Sequence, residues 1–293
     1  MIRLIVFLSL IFSVTSSIAQ HTTLILPVAP GGLVHQYVLG IKDFFNDHFK
    51  NNVVIDLKPG AYGSIGAAAL AENKTEKISL LMGPVQNWPT HPLRDMTPVA
   101  FMGAIPGVIF VNANDKITRI DQIIELSKSS SVTYAFPGAS NNGKLIDRIA
   151  KKYGRYDNFV AIPYKSGVAV TNDILGKHVK LGVSIPNNIL QHVQSGAITP
   201  LAIFGPARST YLPNVPTLRE LSILIEKEYV FHNNIFLFVN KTADPSEVQK
   251  LKTAIKKYLE SDASLEARRK MDISFGSYPI LAPDKLINDI ISE

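Results

Sequence analysis

Three glycine-rich loops carry the residues whose types and spacing could do chemistry. Pro27-Val28-Ala29-Pro30-Gly31-Gly32 follows an apolar run, and Gly31 and Gly32 lack the Cβ that would keep a ligand from backbone N–H groups at the next helix start. Such amides, added to the partial positive charge of a helix N-terminus, make a seat for an anion. Lys58-Pro59-Gly60-Ala61-Tyr62-Gly63-Ser64-Ile65-Gly66 has the same character, with Ser64 placed to cap a helix and face a cleft, and Tyr62 and Trp88 placed to wall it. Phe136-Pro137-Gly138-Ala139-Ser140-Asn141-Asn142-Gly143 offers amides and a hydroxyl without a titratable group, which suits recognition more than catalysis. His35 lies in the first turn after Gly31-Gly32, where it either faces the same ligand or points to solvent from the helix. For any one loop the competing reading is that Gly and Pro serve only a tight turn. Their joint placement between predicted strands and helices favours a shared site.

Catalysis finds little support. There is no G-x-S-x-G elbow and no Walker-type loop, and Gly60, Gly63 and Gly66 have the wrong spacing for a dinucleotide fingerprint. His21, His35, His48, His91, His178, His192 and His232 show no H-E-x-x-H or comparable ligand spacing, and most of them read as surface or capping residues. With no cysteine, a zinc site would need scattered His and carboxylates. The expectation is a binding protein with no cofactor and no metal. The formal net charge of +6 is dispersed, without an Arg/Lys block, so nucleic acid is not the expected partner and anionic small molecules are.

Stepping along the chain, periodicity alternates between strand and helix. Strands are expected at Thr22–Val28, Val53–Leu57, Ile78–Met82, Gly107–Val111, Val132–Phe136, Phe159–Ile162, Val179–Ser184, Ile198–Phe204 and Val230–Val239. Helices are expected at Leu33–Phe49, Ser64–Ala71, Ile120–Leu126, Gly143–Tyr153, Val168–Leu175 and Ile189–Val193, and at Val248–Leu259 after an Asp244 N-cap and Pro245. This alternation implies an α/β protein with mainly parallel sheets. Hydrophobic residues at 46% against 18% charged indicate a chain with a sizeable core. The prolines at 206, 213 and 216 mark an extended crossing. Arg3, the apolar run Leu4–Val14 and the small residues up to Ala19 read as a signal peptide over residues 1–19, cleaved near Ala19.

Several of these segments carry a family resemblance. Pro27 to Gly32, Lys58 to Gly66 and Asp95-Met96-Thr97-Pro98-Val99-Ala100 resemble signatures of the Bug (Bordetella uptake gene) or TctC family, the substrate-binding receptors of tripartite tricarboxylate transporters. Pro163-Tyr164-Lys165, Asp173 to Gly176, Gln194-Ser195-Gly196 and Ala207 to Thr217 are similar to that family's second-lobe pattern, in the same order. The resemblance implies a type II periplasmic-binding-protein fold: two lobes, each a mainly parallel sheet flanked by helices, joined by a hinge. Residues 20–104 and 226–293 would form lobe 1 and residues 105–225 lobe 2. It further implies a periplasmic monomer that binds a di-/tricarboxylate or related organic acid and delivers it to membrane permease subunits. In such a receptor Ala29, Pro30, Gly31 and Gly32 would grip a carboxylate together with Gly138, Ala139, Ser140 and Asn141; His35, Tyr62, Gly63, Ser64 and Tyr164 complete the expected site. The chain departs from the family pattern at His35 and Lys180, where acidic residues are usual, and at Asn233, where an aromatic is common. If His35 or Lys180 faces the cleft, an anion without an amine is favoured. A sensory receptor feeding a two-component system, and an enzyme on a two-lobed scaffold, are the alternatives.

Overall fold

Apolar residues at alternating and at 3.6-residue spacing build two sheets and the helices that cover them. The computed structural model describes residues 21–73, 78–84, 93, 95–138, 142–275 and 283–291. Strands β1 (Thr22–Leu26), β2 (Val53–Leu57), β3 (Leu80–Pro84), β4 (Met96–Ile105) and β10 (Asn233–Asn240) form one sheet, in the order β2-β1-β3-β10-β4. Strands β5 (Gly107–Asn112), β6 (Val132–Pro137), β7 (Phe159–Tyr164), β8 (Leu181–Ser184) and β9 (Ile198–Phe204) form the other, in the order β7-β6-β8-β5-β9. In each sheet one strand runs against the rest: β10 pairs antiparallel with β3 and β4, and β5 with β8 and β9. The sheets are therefore mainly parallel, as the alternation implied, but mixed.

The helices are α1 (Leu33–Phe49), α2 (Ser64–Glu72), α3 (Ile120–Leu126), α4 (Asn142–Lys152), α5 (Gly167–Leu175), α6 (Leu190–Gln194), α7 (Pro245–Leu259), α8 (Asp262–Lys270) and α9 (Pro283–Ile291). α1 buries Val34, Tyr37, Val38, Ile41 and Phe45, one stripe at helical spacing, against Leu24, Leu80, Leu237 and Val239 of the first sheet. Each such side chain contributes about 1.5–3 kcal/mol when fully buried. α5 buries Val170 and Ile174 against Val108, Phe110 and Ala135 of the second sheet. A third cluster joins the sheets, with Phe101, Ala104 and Phe236 meeting Ile109, Tyr134 and Phe204. Asp244 caps α7 as expected, accepting from Ser246 N at 2.8 Å and Glu247 N at 3.2 Å, with Pro245 in the first turn.

Four elements differ from the periodicity reading. β4 was not anticipated; Pro98 and Gly103 interrupt its pattern, and bulges shift its register against β10. β10 begins at Asn233, because Glu228–Phe231 forms a 3-10 turn. α8 is strongly polar, and α9 was not anticipated although Pro283 opens it and Asp284 stands in its first turn. His232 is buried, 3.4 Å from Glu228, and is not a surface histidine. The signal-peptide reading of residues 1–19, and those of Trp88 and His91, lie outside the described residues.

β4 passes to β5 through Pro106 alone, and the chain leaves β9 through Gly205, which abuts it: a Cβ on Gly205 would lie 2.9 Å from Pro106 Cβ. The proline-rich stretch then returns to the end of β9 and pairs with it in parallel, Ile203 N–H donating to Pro216 O and Leu218 N–H to Ile203 O, both at 2.8 Å. It is fastened to the end of α8 by buried Asp272, whose carboxylate accepts from Ser209 Oγ (2.6 Å), Thr210 N (2.7 Å) and Thr210 Oγ1 (3.1 Å). Burial raises the Asp272 carboxyl above its ordinary range, against the pull of those hydrogen bonds.

Candidate ligand-binding cleft

β1 ends at Leu26, and Pro27 opens the first loop between two glycines. A Cβ on Gly66 of α2 would lie 2.9 Å from Pro27 Cβ, and one on Gly83 of β3 would lie 2.6 Å from Pro27 Cγ. Glycine at 66 thus serves close packing of α2 on β1. Beyond Pro27 the chain turns through Gly31 at φ 78°, and Gly32 is the N-cap of α1. The loop ties itself: Gly31 N–H donates to His35 Nδ1 at 2.9 Å, Gln36 Nε2 donates to Gly31 O at 3.0 Å, and Gly32 N–H reaches Ala29 O at 3.4 Å. Because Nδ1 accepts, the proton of the neutral His35 ring sits on Nε2. The first-turn amides of α1 have no partner within the helix, as at any helix start.

On the second sheet, β6 ends at Pro137 and Gly138 N–H donates to Tyr164 O at 2.9 Å. α4 then starts at buried Asn142. At the end of β8, buried Ser184 accepts from Asn188 Nδ2 at 2.8 Å, and Thr171 Oγ1 donates to Asn188 O at 3.4 Å. The pair packs tightly over the start of α5, where a Cβ on Gly167 would fall 2.1 Å from Asn188 Nδ2.

These segments line an open cleft of about 320 Å³. Val28, Ala29, Gly32, Leu33 and Val34 line it from the β1–α1 segment, Ile105, Asn233 and Ile235 from β4 and β10, Pro137 and Asn142 from the β6–α4 segment, and Ser184, Ile185 and Asn188 from beyond β8. It lies past the carboxyl ends of β1, β6 and β8, where open α/β sheets bind ligands. Two other cavities lie on outer faces, one beside α3 with Arg119, Asp121, Glu125 and Lys128, the other beside α4 with Arg148, Lys151, Lys152 and Glu226. In the first of these Arg119 and Lys128 already pair with Asp121 and Glu125.

The structure brings Ala29 and Gly32 together with the flanks of the third loop, Pro137 and Asn142. Pro30 and Gly31 share the first loop but do not line the cavity, and half-buried His35 is engaged by Gly31. Gly63, at φ 94°, is the N-cap of α2, and neither it nor Ser64 lines the cavity. Tyr62 belongs to the 3-10 turn Ala61–Gly63. Gly138 keeps its place at the end of β6, while Ala139, Ser140 and Asn141 lie outside the described residues. Tyr164 turns its phenol onto Asp173 of α5, away from this cavity; burial and that hydrogen bond push it up to about 12, and the same bond holds the Asp173 carboxyl below its usual range. Lys180 precedes β8 at the sheet's opposite end and pairs with Asp115 at 3.2 Å, so its charge does not face the cavity. Asn233 does line it.

Ser184, Asn188 and Ile105 were not anticipated. Ser184-Ile185-Pro186-Asn187-Asn188 is a strand-to-helix loop without glycine, and its position after a predicted strand was the available signal. Among the described residues, no group of three His, Asp or Glu side chains is placed to hold a metal.

Two mixed sheets covered by helices, with a cavity beyond the carboxyl ends of strands from both, define a two-lobed α/β solute-binding fold. The model of the tripartite tricarboxylate transporter family receptor, TctC, matches residues 40–289, and the chain belongs to that family. The family is one of solute-binding receptors. Protein BugT of Bordetella pertussis is 27% identical over 290 residues, covering 94% of this chain and 86% of its own length. A TctC solute-binding protein from Polaromonas, solved without ligand, superposes with a TM-score of 0.68 at 22% identity, over 94% of this chain and 100% of its own. MatC from Rhodopseudomonas palustris with bound malate gives 0.66 at 18% identity, over 93% of this chain and 97% of its own. Another Rhodopseudomonas palustris protein, with adipate, gives 0.69 at 20% identity, over 93% of each chain.

Proposed function

We propose that this chain is a periplasmic receptor that captures a small carboxylate and delivers it to the membrane permease subunits of a tripartite tricarboxylate transporter. The observation that carries this reading is the cavity itself: segments beyond both sheets converge on it, with the starts of α1 and α4 at its wall. Partial positive charge at a helix start stabilises a nearby anion by about 0.3–1 kcal/mol, and by up to ~2 kcal/mol when partly buried. Malate and adipate in the two neighbours support a carboxylate ligand. In this reading residues 1–19 are a signal peptide, residues 20–104 and 226–293 form one lobe, 105–225 form the other, and the hinge lies where the chain crosses between them, at Pro106 and again near residue 225. The receptor acts as a monomer and releases its ligand unchanged. Ala29 and Gly32 with the Gly138–Asn141 segment contribute to the seat, and Asn142, Ser184 and Asn188 join them.

Thermal-shift screening of the exported protein against a panel of carboxylates tests this. A true ligand at 100 times its Kd stabilises by about 2.7 kcal/mol. At about 2–4 °C per kcal/mol for chains of this size, that is a rise of roughly 5–10 °C. A panel in which no carboxylate shifts the transition refutes the proposal.

A further inference from the structure

Resting on the carboxylate-receptor reading above, we propose that the cleft selects an acid with one charged head and an apolar body: an aromatic or aliphatic monocarboxylate of about ten non-hydrogen atoms, over a di- or tricarboxylate.

The lining is divided by chemistry. The second sheet contributes a polar corner of Asn142, Ser184 and Asn188, flanked by Pro137 and Ile185. Facing it, the first sheet contributes Val28, Leu33, Val34, Ile105 and Ile235, a wall of branched hydrocarbon. Asn233 is the polar exception on that side, and its Nδ2 is directed at Ile105 O, 3.3 Å away. None of the described lining residues is Lys, Arg, His, Asp or Glu.

On the first-sheet side the backbone donors left open are the first-turn amides of α1. The amides of Gly31 and Gly32, which could have formed a second anion seat on the first-sheet side, are bonded within their own loop to His35 Nδ1 and Ala29 O. A second carboxylate extending from the polar corner, away from the start of α1, would meet the hydrocarbon wall. An ionised group so placed loses its hydration with no cationic side chain among the described lining residues to offset it, a penalty of several kcal/mol per ion. A ring or alkyl body there gains about 0.8 kcal/mol per buried CH₂. Size sets the upper limit without choosing between one carboxylate and two, since 320 Å³ holds about ten waters at ~30 Å³ each and octanoate and adipate have equal numbers of non-hydrogen atoms.

Calorimetry on the exported protein with benzoate, octanoate, adipate and citrate tests the proposal. Benzoate or octanoate is expected to bind at least tenfold more tightly than adipate and citrate. Adipate or citrate binding as tightly as both monocarboxylates overturns the proposal and leaves the receptor reading standing; no binding by any of the four, together with an empty thermal-shift screen, overturns both. Leu33→Arg places a cation on the half-buried part of the apolar wall, and is expected to cut the octanoate-to-adipate preference at least tenfold. An unchanged ratio in a variant with an intact far-ultraviolet dichroism spectrum counts against the proposal.

Discussion

Replacing Gly66 by alanine should weaken ligand binding although residue 66 does not line the cleft. The added Cβ would stand 2.9 Å from Pro27 Cβ, 3.2 Å from Pro27 Cα and 3.4 Å from Ile25 Cγ2. Carbon atoms settle at about 3.5–4.0 Å, so Pro27 must retreat by about 0.5–1 Å. Overpacking of this kind costs about 1–3 kcal/mol, while alanine in a helix interior returns about 1 kcal/mol relative to glycine. The net loss is about 1 kcal/mol, or about 2–4 °C in Tm. Affinity should suffer more, because Pro27 leads directly into Val28 and Ala29 on the cavity wall. A displacement beyond about 0.5 Å exceeds what a binding constellation tolerates. The expected change is about tenfold in Kd, or about 1.4 kcal/mol, by calorimetry with the tightest carboxylate of the screen. Gly40→Ala is the control: it also lies in a helix, but nothing stands within 4 Å of its Cβ position, so it should gain about 1 kcal/mol and bind normally. If Gly66→Ala raises Tm as Gly40→Ala does and leaves Kd unchanged, Pro27 does not brace the loop.

Three further outcomes follow from the geometry. Asp272→Ala strands the buried Ser209 hydroxyl and the Thr210 amide, and should lower stability by about 2–3 kcal/mol in urea titrations; Asp272→Asn, which retains an acceptor and a residue type tolerant of φ 57°, should lose less. Lys180→Asp should leave the Kd for carboxylates and for glutamate within twofold, because that side chain faces Asp115 at the far end of β8; acquired glutamate binding would show that it reaches the ligand. Glu220, held at about 2 chiefly by the Arg208 guanidinium and then by the Thr217 amide, contributes stability that is present above the unfolded glutamate value of ~4.3 and lost as pH falls toward about 2. Glu220→Gln should therefore flatten the acid limb of a stability–pH curve in that window, and an unchanged slope would contradict the pairing.

Much of the scaffold was legible because burial imposes periodicity. α1, β2 and α3 begin and end where their apolar spacing does, and Asp244-Pro245 is a start signal that depends on nothing distant. β4 was illegible for the converse reason. Pro98 and Gly103 look like breakers, yet the strand lies at a sheet edge, where a missing N–H is tolerated, and bulges absorb the irregularity. The cleft was half legible. Glycine marked two of its loops, but the amides it seemed to uncover are engaged by Ala29 O, by His35 Nδ1 and by Tyr164 O, the last from a strand 26 positions further on. In the second loop the glycines serve backbone turns and close approach to Pro27. Ser184 and Asn188 escaped notice because their value comes from facing a surface built by another part of the chain.

The abutment of Pro106 and Gly205 has an evolutionary reach. Residues 107–204 leave and return at neighbouring points, and Leu212, Val215 and Leu218 stay packed on them, so the stretch with its proline-rich return is a cassette that relatives could exchange without rethreading the host. Such a swap carries Asn142, Ser184 and Asn188 with it and leaves Val28, Leu33, Val34 and Ile105 behind. Recombination at this single seam would then assort preference for the head of a ligand and preference for its tail as separate traits.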